Sequence, residues 1–253
     1  MSERGALEPQ EWRDLDLARL PDGRLAIISD RDGTLRLWLT DPSGKEAPSS
    51  LDAGAGPSQV AASRDGRFLA VTTEDGIRLV EVDGGATRML TETAGDSDPS
   101  FSHDGRHVLF NRRVAGEHQI HRVTLDGHVN ATGAKGLAPV SFDATDDFVF
   151  FAEGRGTRHP MLWSAARGTA APLSPTLPAG RYGRLDLSPD GKQLAIPRNG
   201  TEVVIVDRAS GKIARTLTMA GDELDRSIFA ADGSLFALRV RWVGDIWVAD
   251  LTD

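Results

Sequence analysis

The sequence predicts an all-β fold built from a unit that repeats about every 40 residues. The best copy of this unit is Ser188-Pro-Asp-Gly-Lys-Gln-Leu-Ala-Ile196, in which a short polar turn lies between two apolar runs. The Asp-Gly pair favours a tight hairpin turn, because glycine adopts a positive φ without steric cost. The equivalent turns are Asp22-Gly23, Asp65-Gly66, Asp104-Gly105, Thr145-Asp146, Asp190-Gly191 and Asp232-Gly233. Their even spacing indicates six repeats.

Each repeat contains further short apolar runs after the turn. In the fifth repeat these are Leu194-Ala-Ile196, Val203-Val-Ile-Val-Asp207 and Ile213-Ala-Arg-Thr-Leu-Thr218. Runs that are short, rich in β-branched residues and bounded by turn residues are typical of strands. Four strands in each of several repeats of this length indicate a β-propeller. The sequence therefore predicts a single domain, residues 1–253, folded as a six-bladed β-propeller of four-stranded antiparallel blades.

The boundaries of the blades follow from the turns. We expect blades at about 12–54, 55–95, 96–136, 137–180, 181–221 and 222–253. The last repeat stops after its third strand, so an N-terminal strand formed by Gly5-Ala-Leu-Glu-Pro-Gln10 is expected to complete it and remove an open sheet edge. The alternative leaves residues 1–11 as a tail, because Pro9 disfavours a strand.

Composition limits the possible functions. The net charge of -8 argues against nucleic acid and against an anionic membrane surface as partners. The chain has no cysteine, and no apolar run approaches the length of about 20 residues that spans a bilayer. The first residues lack the apolar core of a signal peptide. We expect a monomer with no membrane insertion, either cytoplasmic or a piece from which a leader was removed.

The repeat Ser/Ala-x-Asp-Gly-Arg/Lys, followed by an apolar strand, a loop and a strand ending in Asp, resembles a known family. It is similar to the repeat of the TolB propeller and of the propellers of prolyl-oligopeptidase-type enzymes. The best copies are Phe101-Ser-His-Asp-Gly-Arg106, Leu187-Ser-Pro-Asp-Gly-Lys192 and Asp245-Ile-Trp-Val-Ala-Asp-Leu251. The resemblance covers nearly the whole chain and implies the fold, and by analogy with TolB it implies a periplasmic or cell-envelope setting. These residues form turns and cores, so they do not assign a function.

Arginines cluster in the loops of the third to fifth blades, on the face opposite the Asp-Gly hairpins. Loops at a channel mouth often carry function, and a guanidinium grips a carboxylate through two hydrogen bonds. The candidate residues for binding a ligand or partner are Arg112, Arg113, Arg155, Arg158, His159, Arg181, Tyr182, Arg184, Arg198 and Trp242. The alternative is solvated loop charge, with Tyr182 packed on a neighbouring blade.

The sequence predicts no cofactor and no catalytic residue. A weak alternative is a Ca²⁺ site in the channel formed by Asp96, Asp98, Asp222 and Asp225. There is no Gly-x-Ser-x-Gly nucleophile motif, and the six histidines are dispersed. The leading hypothesis is a non-catalytic module that binds a protein or peptide at the channel mouth. The alternatives are a propeller that gates a peptidase and a metal-dependent hydrolase or lyase with its site in the channel.

Overall fold

The computed structural model describes residues 3–4, 13–141, 145–154, 157–174, 177, 180–218, 223–230, 233–240 and 245–249. The first strand is β1 (Glu3–Arg4). Blade 1 contains β2 (Asp14–Arg19), β3 (Leu25–Ser29), β4 (Arg36–Thr40) and β5 (Ser49–Leu51). Blade 2 contains β6 (Gln59–Ala62), β7 (Phe68–Thr73), β8 (Gly76–Glu81) and β9 (Thr87–Met89). Blade 3 contains β10 (Ser97–Phe101), β11 (His107–Val114), β12 (Glu117–Thr124) and β13 (Val129–Lys135).

The remaining strands continue the same pattern. Blade 4 contains β14 (Leu137–Ser141), β15 (Phe148–Gly154), β16 (Thr157–Ser164) and β17 (Thr169–Pro172). Blade 5 contains β18 (Asp186–Leu187), β19 (Gln193–Arg198), β20 (Glu202–Asp207) and β21 (Ile213–Thr218). The last strands are β22 (Glu223–Phe229), β23 (Leu235–Val240) and β24 (Asp245–Ala249). The described part of the chain contains no helix that meets the length and hydropathy needed to traverse a lipid bilayer.

The blade count of the sequence analysis requires a correction. Five blades are formed by four consecutive strands each, between Asp14 and Thr218, and each is antiparallel throughout. The other strands form a composite sheet in the order β1-β24-β23-β22, to which the two ends of the chain contribute. Most side chains of this composite sheet lie outside the described residues. The structure therefore gives five contiguous blades plus a composite terminal sheet, in place of six blades of one kind.

The N-terminal strand is also displaced from its predicted position. The two residues of β1 pair with β24, Glu3 opposite Ala249 and Arg4 opposite Val248. The segment Gly5 to Gln10, which was expected to supply this strand, lies outside the described residues. The edge of β24 is thus paired, but by a shorter strand that begins earlier in the chain.

Apolar residues fill the spaces between neighbouring sheets. Between blades 4 and 5, Val149 and Phe151 pack with Leu194 and Ile196, all of them buried. Corresponding clusters join blades 1 and 2, blades 2 and 3, blades 3 and 4, and blade 5 with the composite sheet. A further cluster packs Ile228 of β22 against blade 1. The sheets therefore form a closed ring that is stabilised mainly by apolar contacts between adjacent blades.

The Asp-Gly hairpins adopt the conformation that the sequence predicts. In blade 5, the Ser188 hydroxyl donates to Asp190, 2.7 Å away, and accepts the backbone N–H of Gln193 at 2.9 Å. Gly191 has φ +72°, which a residue with a Cβ rarely adopts. The fourth turn lacks glycine, and there Asp146 takes φ +61°. An Asp tolerates this region better than most residues, which explains how the repeat survives the loss of its glycine.

Candidate functional site

A row of equivalent positions surrounds the centre of the ring. The first strand of each sheet lies at one edge, and neighbouring first strands contact one another from β2 through β6 and β10 to β14. In each repeat, the residue of this row lies six positions before the first residue of the turn. The row consists of Asp16, Gln59, Asp98, Pro139, Arg184 and Arg226. β-Bulges interrupt the pairing beside it in β2, β10, β14 and β22, and such bulges re-aim side chains.

Arg184 reaches across the centre of the ring. Its Nη1 donates to Asp16 of blade 1 at 2.6 Å, and its Nη2 donates to the carbonyl of Pro99 in blade 3 at 3.3 Å. Its Nε lies 3.7 Å from a carboxylate oxygen of Asp98. One side chain from the approach to blade 5 thus links blades 1 and 3, which are not its neighbours.

Asp16 is shared by two guanidinium groups. Besides Arg184, it accepts a hydrogen bond from Nη1 of Arg226, and it accepts the backbone N–H of Val60 at 2.8 Å. The Asp16 side chain is only 4% exposed. Arg226 also donates from Nη1 to the carbonyl of Val60, 3.3 Å away. Burial, followed by the repulsion of Arg184, lowers the pKa of Arg226, and Asp16 opposes this shift. We call Asp16, Asp98, Arg184 and Arg226 the channel network.

A cavity of about 460 Å³ lies on one side of this network. Its wall and rim include residues of the Asp-Gly hairpins: Pro21, Ser63, Arg64, Ser102, His103, Ser188 and Pro189. Arg184 and Arg226 of the network, together with Pro99 and Pro139, also line it. The cavity therefore opens towards the hairpin face, and Arg184 and Arg226 of the channel network form its floor.

The charged side chains of the cavity are mostly basic. Arg19, Arg64, Arg184 and Arg226 line it, whereas Asp186 is the acidic lining residue. Asp186 accepts the backbone N–H of Phe229 at 2.9 Å. Burial raises the pKa of Asp186, and the Phe229 N–H and the nearby arginines only partly offset this effect. The lining thus carries more basic than acidic side chains, and Asp16, which lies outside the lining, pairs with two of the arginines.

The arginines predicted on the opposite face have partners within the chain. Arg112 forms a fork with the buried carboxylate of Asp96, with Nε and Nη2 at 2.8 and 2.6 Å from its two oxygens. The hydrogen bonds that Arg112 donates to Asp96 raise the pKa of Arg112. Arg198 pairs with Glu202 at 2.8 Å. The loop arginines are thus partly neutralised by their own surroundings, which is the alternative that the sequence left open.

Other predicted site residues are dispersed. Arg113 donates to the carbonyl of Gly116 at 3.1 Å, and Arg158 donates to the carbonyl of Tyr182 at 2.6 Å. His159 and Arg181 are exposed. Arg184 belongs to the channel network, apart from the loop arginines with which the sequence grouped it. Arg155 and Trp242 lie outside the described residues.

Tyr182 packs within the protein. Its ring stacks on Phe151 of blade 4, with centroids 5.5 Å apart and planes 12° from parallel. The side chain is buried, and this burial raises its pKa. Of the two interpretations of Tyr182, the structure favours packing on a neighbouring blade.

The proposed Ca²⁺ ligands do not converge in the described part of the chain. Asp96 is engaged by Arg112, and Asp98 accepts from Gln59 at 2.8 Å. Asp222 and the side chain of Asp225 lie outside the described residues. Among the residues that the structure describes, no group of three or more His, Asp or Glu side chains is placed to hold a metal ion.

The sequence analysis did not select Asp16, Arg19, Arg64, Asp186 or Arg226. A signal for two of them is present in the sequence, because Asp16 and Arg226 stand at the same distance before their turns as Asp98 and Arg184 do. Charged residues that occupy the same position of the repeat, within strands that are otherwise apolar, indicate side chains that line the central channel. Their mutual contacts depend on ring closure, which the repeat pattern alone does not specify.

Comparisons with known proteins support the fold. No known protein-family model and no curated protein sequence matches the chain. Among solved structures, it is similar to a putative TolB from Agrobacterium tumefaciens, with 16% identity, a TM-score of 0.71, and coverage of 97% of this chain and 92% of the other. TolB from Acinetobacter baumannii has 20% identity and a TM-score of 0.69, covering 95% of this chain. This chain spans 64% of that protein's length.

The chain is also similar in structure to an enzyme. A gluconolactonase from Xanthomonas campestris has 17% identity and a TM-score of 0.73, with coverage of 98% of this chain and 89% of the other. At these identities the comparisons show a TolB-like β-propeller fold, as the sequence resemblance implied. They extend to both TolB proteins and enzymes, so the fold does not determine the function.

Proposed function

We propose that this protein is a non-catalytic module that binds a protein or peptide segment in the cavity on its hairpin face. The observation that carries the proposal is the group of four arginines lining a cavity of about 460 Å³. Ligand sites typically occupy about 300 to 1,000 Å³ and contain a few convergent polar groups. The cavity is thus of a size to receive the tip of a peptide.

Three of the serines that line the cavity form hairpin turns, and their hydrogen bonds argue against a role as nucleophiles. Ser63, Ser102 and Ser188 donate their hydroxyl protons to Asp65, Asp104 and Asp190, at 2.6 to 2.7 Å. Each hydroxyl also accepts a backbone N–H that closes its own hairpin. An activated nucleophile needs an adjacent general base, whereas these hydroxyls serve turn structure.

The opposite face is the weaker candidate. Using Arg112 to hold a partner would require separation from Asp96, whose carboxylate is fully buried. Removing one member of a buried ion pair leaves an uncompensated charge and is costly. Arg64, by contrast, lines the cavity at an exposed position and can meet a ligand without leaving a buried carboxylate.

The proposal is tested by filling the cavity. Ala62→Trp and Ser141→Trp introduce an indole from two different walls, and Ala171→Trp places the same side chain on an exposed position of β17 as a matched control. A display library of linear peptides is selected on the wild-type protein, and the enriched peptides are then measured against each variant. We expect binding to be lost in both cavity variants and kept in Ala171→Trp.

Two results would contradict the proposal. One is a library that yields no enriched peptide. The other is a set of peptides that bind the filled variants as well as the wild type. Circular dichroism and thermal melting establish that each variant is folded, and using two walls guards against the failure of either substitution.

A further inference from the structure

Arg226 is a buried guanidinium in the cavity floor with an incomplete set of hydrogen bonds. The residue is 7% exposed. Its hydrogen bonds to Asp16 and to the carbonyl of Val60 are both donated by Nη1. Within the part of the chain that the structure describes, its Nε is buried without a hydrogen-bond partner. A buried donor without an acceptor is unfavourable, and a native structure that keeps one invites an explanation.

The channel network does not supply the missing acceptor. Asp16 already accepts hydrogen bonds from Arg184, from Arg226 and from the N–H of Val60. Asp98 is engaged by Gln59 and faces Nε of Arg184. Asp186, the acidic residue that lines the same cavity, attracts Arg226 electrostatically but forms no hydrogen bond with its Nε. The acceptor for Nε of Arg226 would therefore come from a ligand in the cavity.

Positive charge also extends from the floor to the rim. Arg64 is exposed at the rim, and its Nη1 lies 2.7 Å from Nδ1 of His103, another lining residue. Arg19 also lines the cavity and donates its Nε to the carbonyl of Phe229 at 2.7 Å. A ligand with one negative group would satisfy only one end of this distribution, whereas a segment with several carboxylates would match both ends.

We infer that the cavity selects an acidic peptide segment, with one side-chain carboxylate accepting from the Nε edge of Arg226 and another meeting Arg64 at the rim. The inference rests on the proposed function and specifies the chemistry of its ligand. A planar guanidinium suits this role, because it presents fixed donors to a carboxylate, whereas an ammonium group presents a point charge.

The probes are three short peptides of equal length. The first is an N-acetylated, C-amidated tripeptide of aspartate and glutamate. The second replaces its acids with asparagine and glutamine, and the third is the second with a free C-terminal carboxylate. Binding is followed by titration calorimetry and by the NMR signal of the Arg226 Nε–H group. We expect the acidic peptide alone to bind tightly and to shift this signal.

Variants identify the contact. Arg226→Lys keeps the charge but removes the guanidinium edge, so we expect affinity for the acidic peptide to fall at least about tenfold. Arg64→Gln, at an exposed position, is expected to weaken binding by a smaller factor. Arg113→Lys makes the same change as the first variant at an exposed position of β11 on the opposite face and is expected to have no effect. If Arg226→Lys does not fold, Arg64→Gln and the wild-type NMR signal decide the question.

The outcomes separate this inference from the proposed function. Equal affinity for the acidic and neutral peptides, or an unchanged affinity in Arg226→Lys, overturns the acidic-segment inference. Tighter binding of the peptide with the free C-terminus also overturns it, because a chain end would then supply the carboxylate. If library peptides bind in the cavity but carry no acidic residue, the peptide-binding function stands and this inference fails. If neither the library nor the acidic tripeptide gives a ligand that binds in the cavity, the proposed function and this inference both fail.

Discussion

Burial changes the acidity of one cavity residue in a direction that affects stability. Asp186 lines the cavity, and desolvation raises its pKa above the ordinary value for a carboxyl group. In the folded protein this group therefore holds a proton more tightly than in the unfolded chain. Its contribution to the free energy of unfolding is fully present at low pH and is lost as the pH rises through the folded-state pKa.

Asp186→Asn is therefore expected to stabilise the protein near neutral pH. The amide oxygen retains an acceptor for the Phe229 N–H without the cost of a buried charge. The gain in unfolding free energy should be largest at about pH 7 and shrink towards about pH 4, close to the unfolded carboxyl pKa. Urea denaturation across this range measures it, and a variant that is less stable than the wild type at neutral pH would contradict the prediction.

Asp190→Asn is the matched control with the opposite sign. Asp190 is in an exposed turn, and the hydrogen bond from Ser188 lowers its pKa. Its contribution to stability is present above the unfolded pKa and is lost as the pH falls through the folded value. We expect Asp190→Asn to reduce stability at neutral pH, with a smaller reduction in acid.

The contacts of two side chains, Tyr182 and Arg112, could not be predicted from the sequence. Tyr182 lies just before blade 5, and a single sequence gives equal support to a ring that meets a ligand and a ring that packs on Phe151. The acceptor of Arg112 could not be identified either, because Asp96 lies 16 residues away and meets it only when β10 pairs with β11. Such contacts depend on register, which side-chain type alone does not specify.

At the level of the strand and turn, the repeat was highly informative. Serine, aspartate and glycine at fixed positions form the same turn in blades 2, 3 and 5, where the hydroxyls of Ser63, Ser102 and Ser188 bind the turn carboxylates. These are local interactions within a few residues, so the sequence predicts them directly. Some glycines outside the repeated turn are needed because a side chain there would clash with a neighbouring strand, and the sequence alone does not show this.

Gly76→Ala is expected to destabilise blade 2 much more than Gly105→Ala destabilises blade 3. Gly76 has φ +142°, and an added Cβ would lie 3.0 Å from the carbonyl carbon of Thr91 and nearer still to its oxygen. Gly105 has φ +70° with open space around the added atom, so its cost should be about 1–2 kcal/mol, from backbone conformation alone. Chemical denaturation of both variants measures the difference, and equal losses would show that the contact with Thr91 is relieved easily.

At the level of the whole molecule, the channel network joins parts of the ring that are distant in sequence. Asp16 near the start of blade 1 contacts Arg184 before blade 5, Arg226 in β22, and the N–H of Val60 in blade 2. The sequence predicted the propeller but not this network. Each member stands in a different repeat, and only closure of the ring brings them within a few ångströms of one another.

Asp16→Asn is expected to lower the free energy of unfolding by about 3 kcal/mol or more, because two buried guanidinium groups would lose their shared anion. Asp83→Asn is the matched control, since Asp83 is 91% exposed and lies 3.6 Å from Arg24. Exposed pairs of this kind contribute little, so the control should leave stability nearly unchanged. Denaturant titration compares the two, and a loss in Asp16→Asn no greater than in the control would show that the network does not stabilise the ring.

The position of Arg184 across the centre of the ring affects how a ligand could enter and leave the central channel. Its side chain connects the approach to blade 5 with Asp16 and Pro99 on the far walls and so crosses the centre of the ring. For the proposed peptide ligand, this crossing means that a segment entering from the hairpin face would have to end or double back at Arg184 and leave by the opening through which it entered.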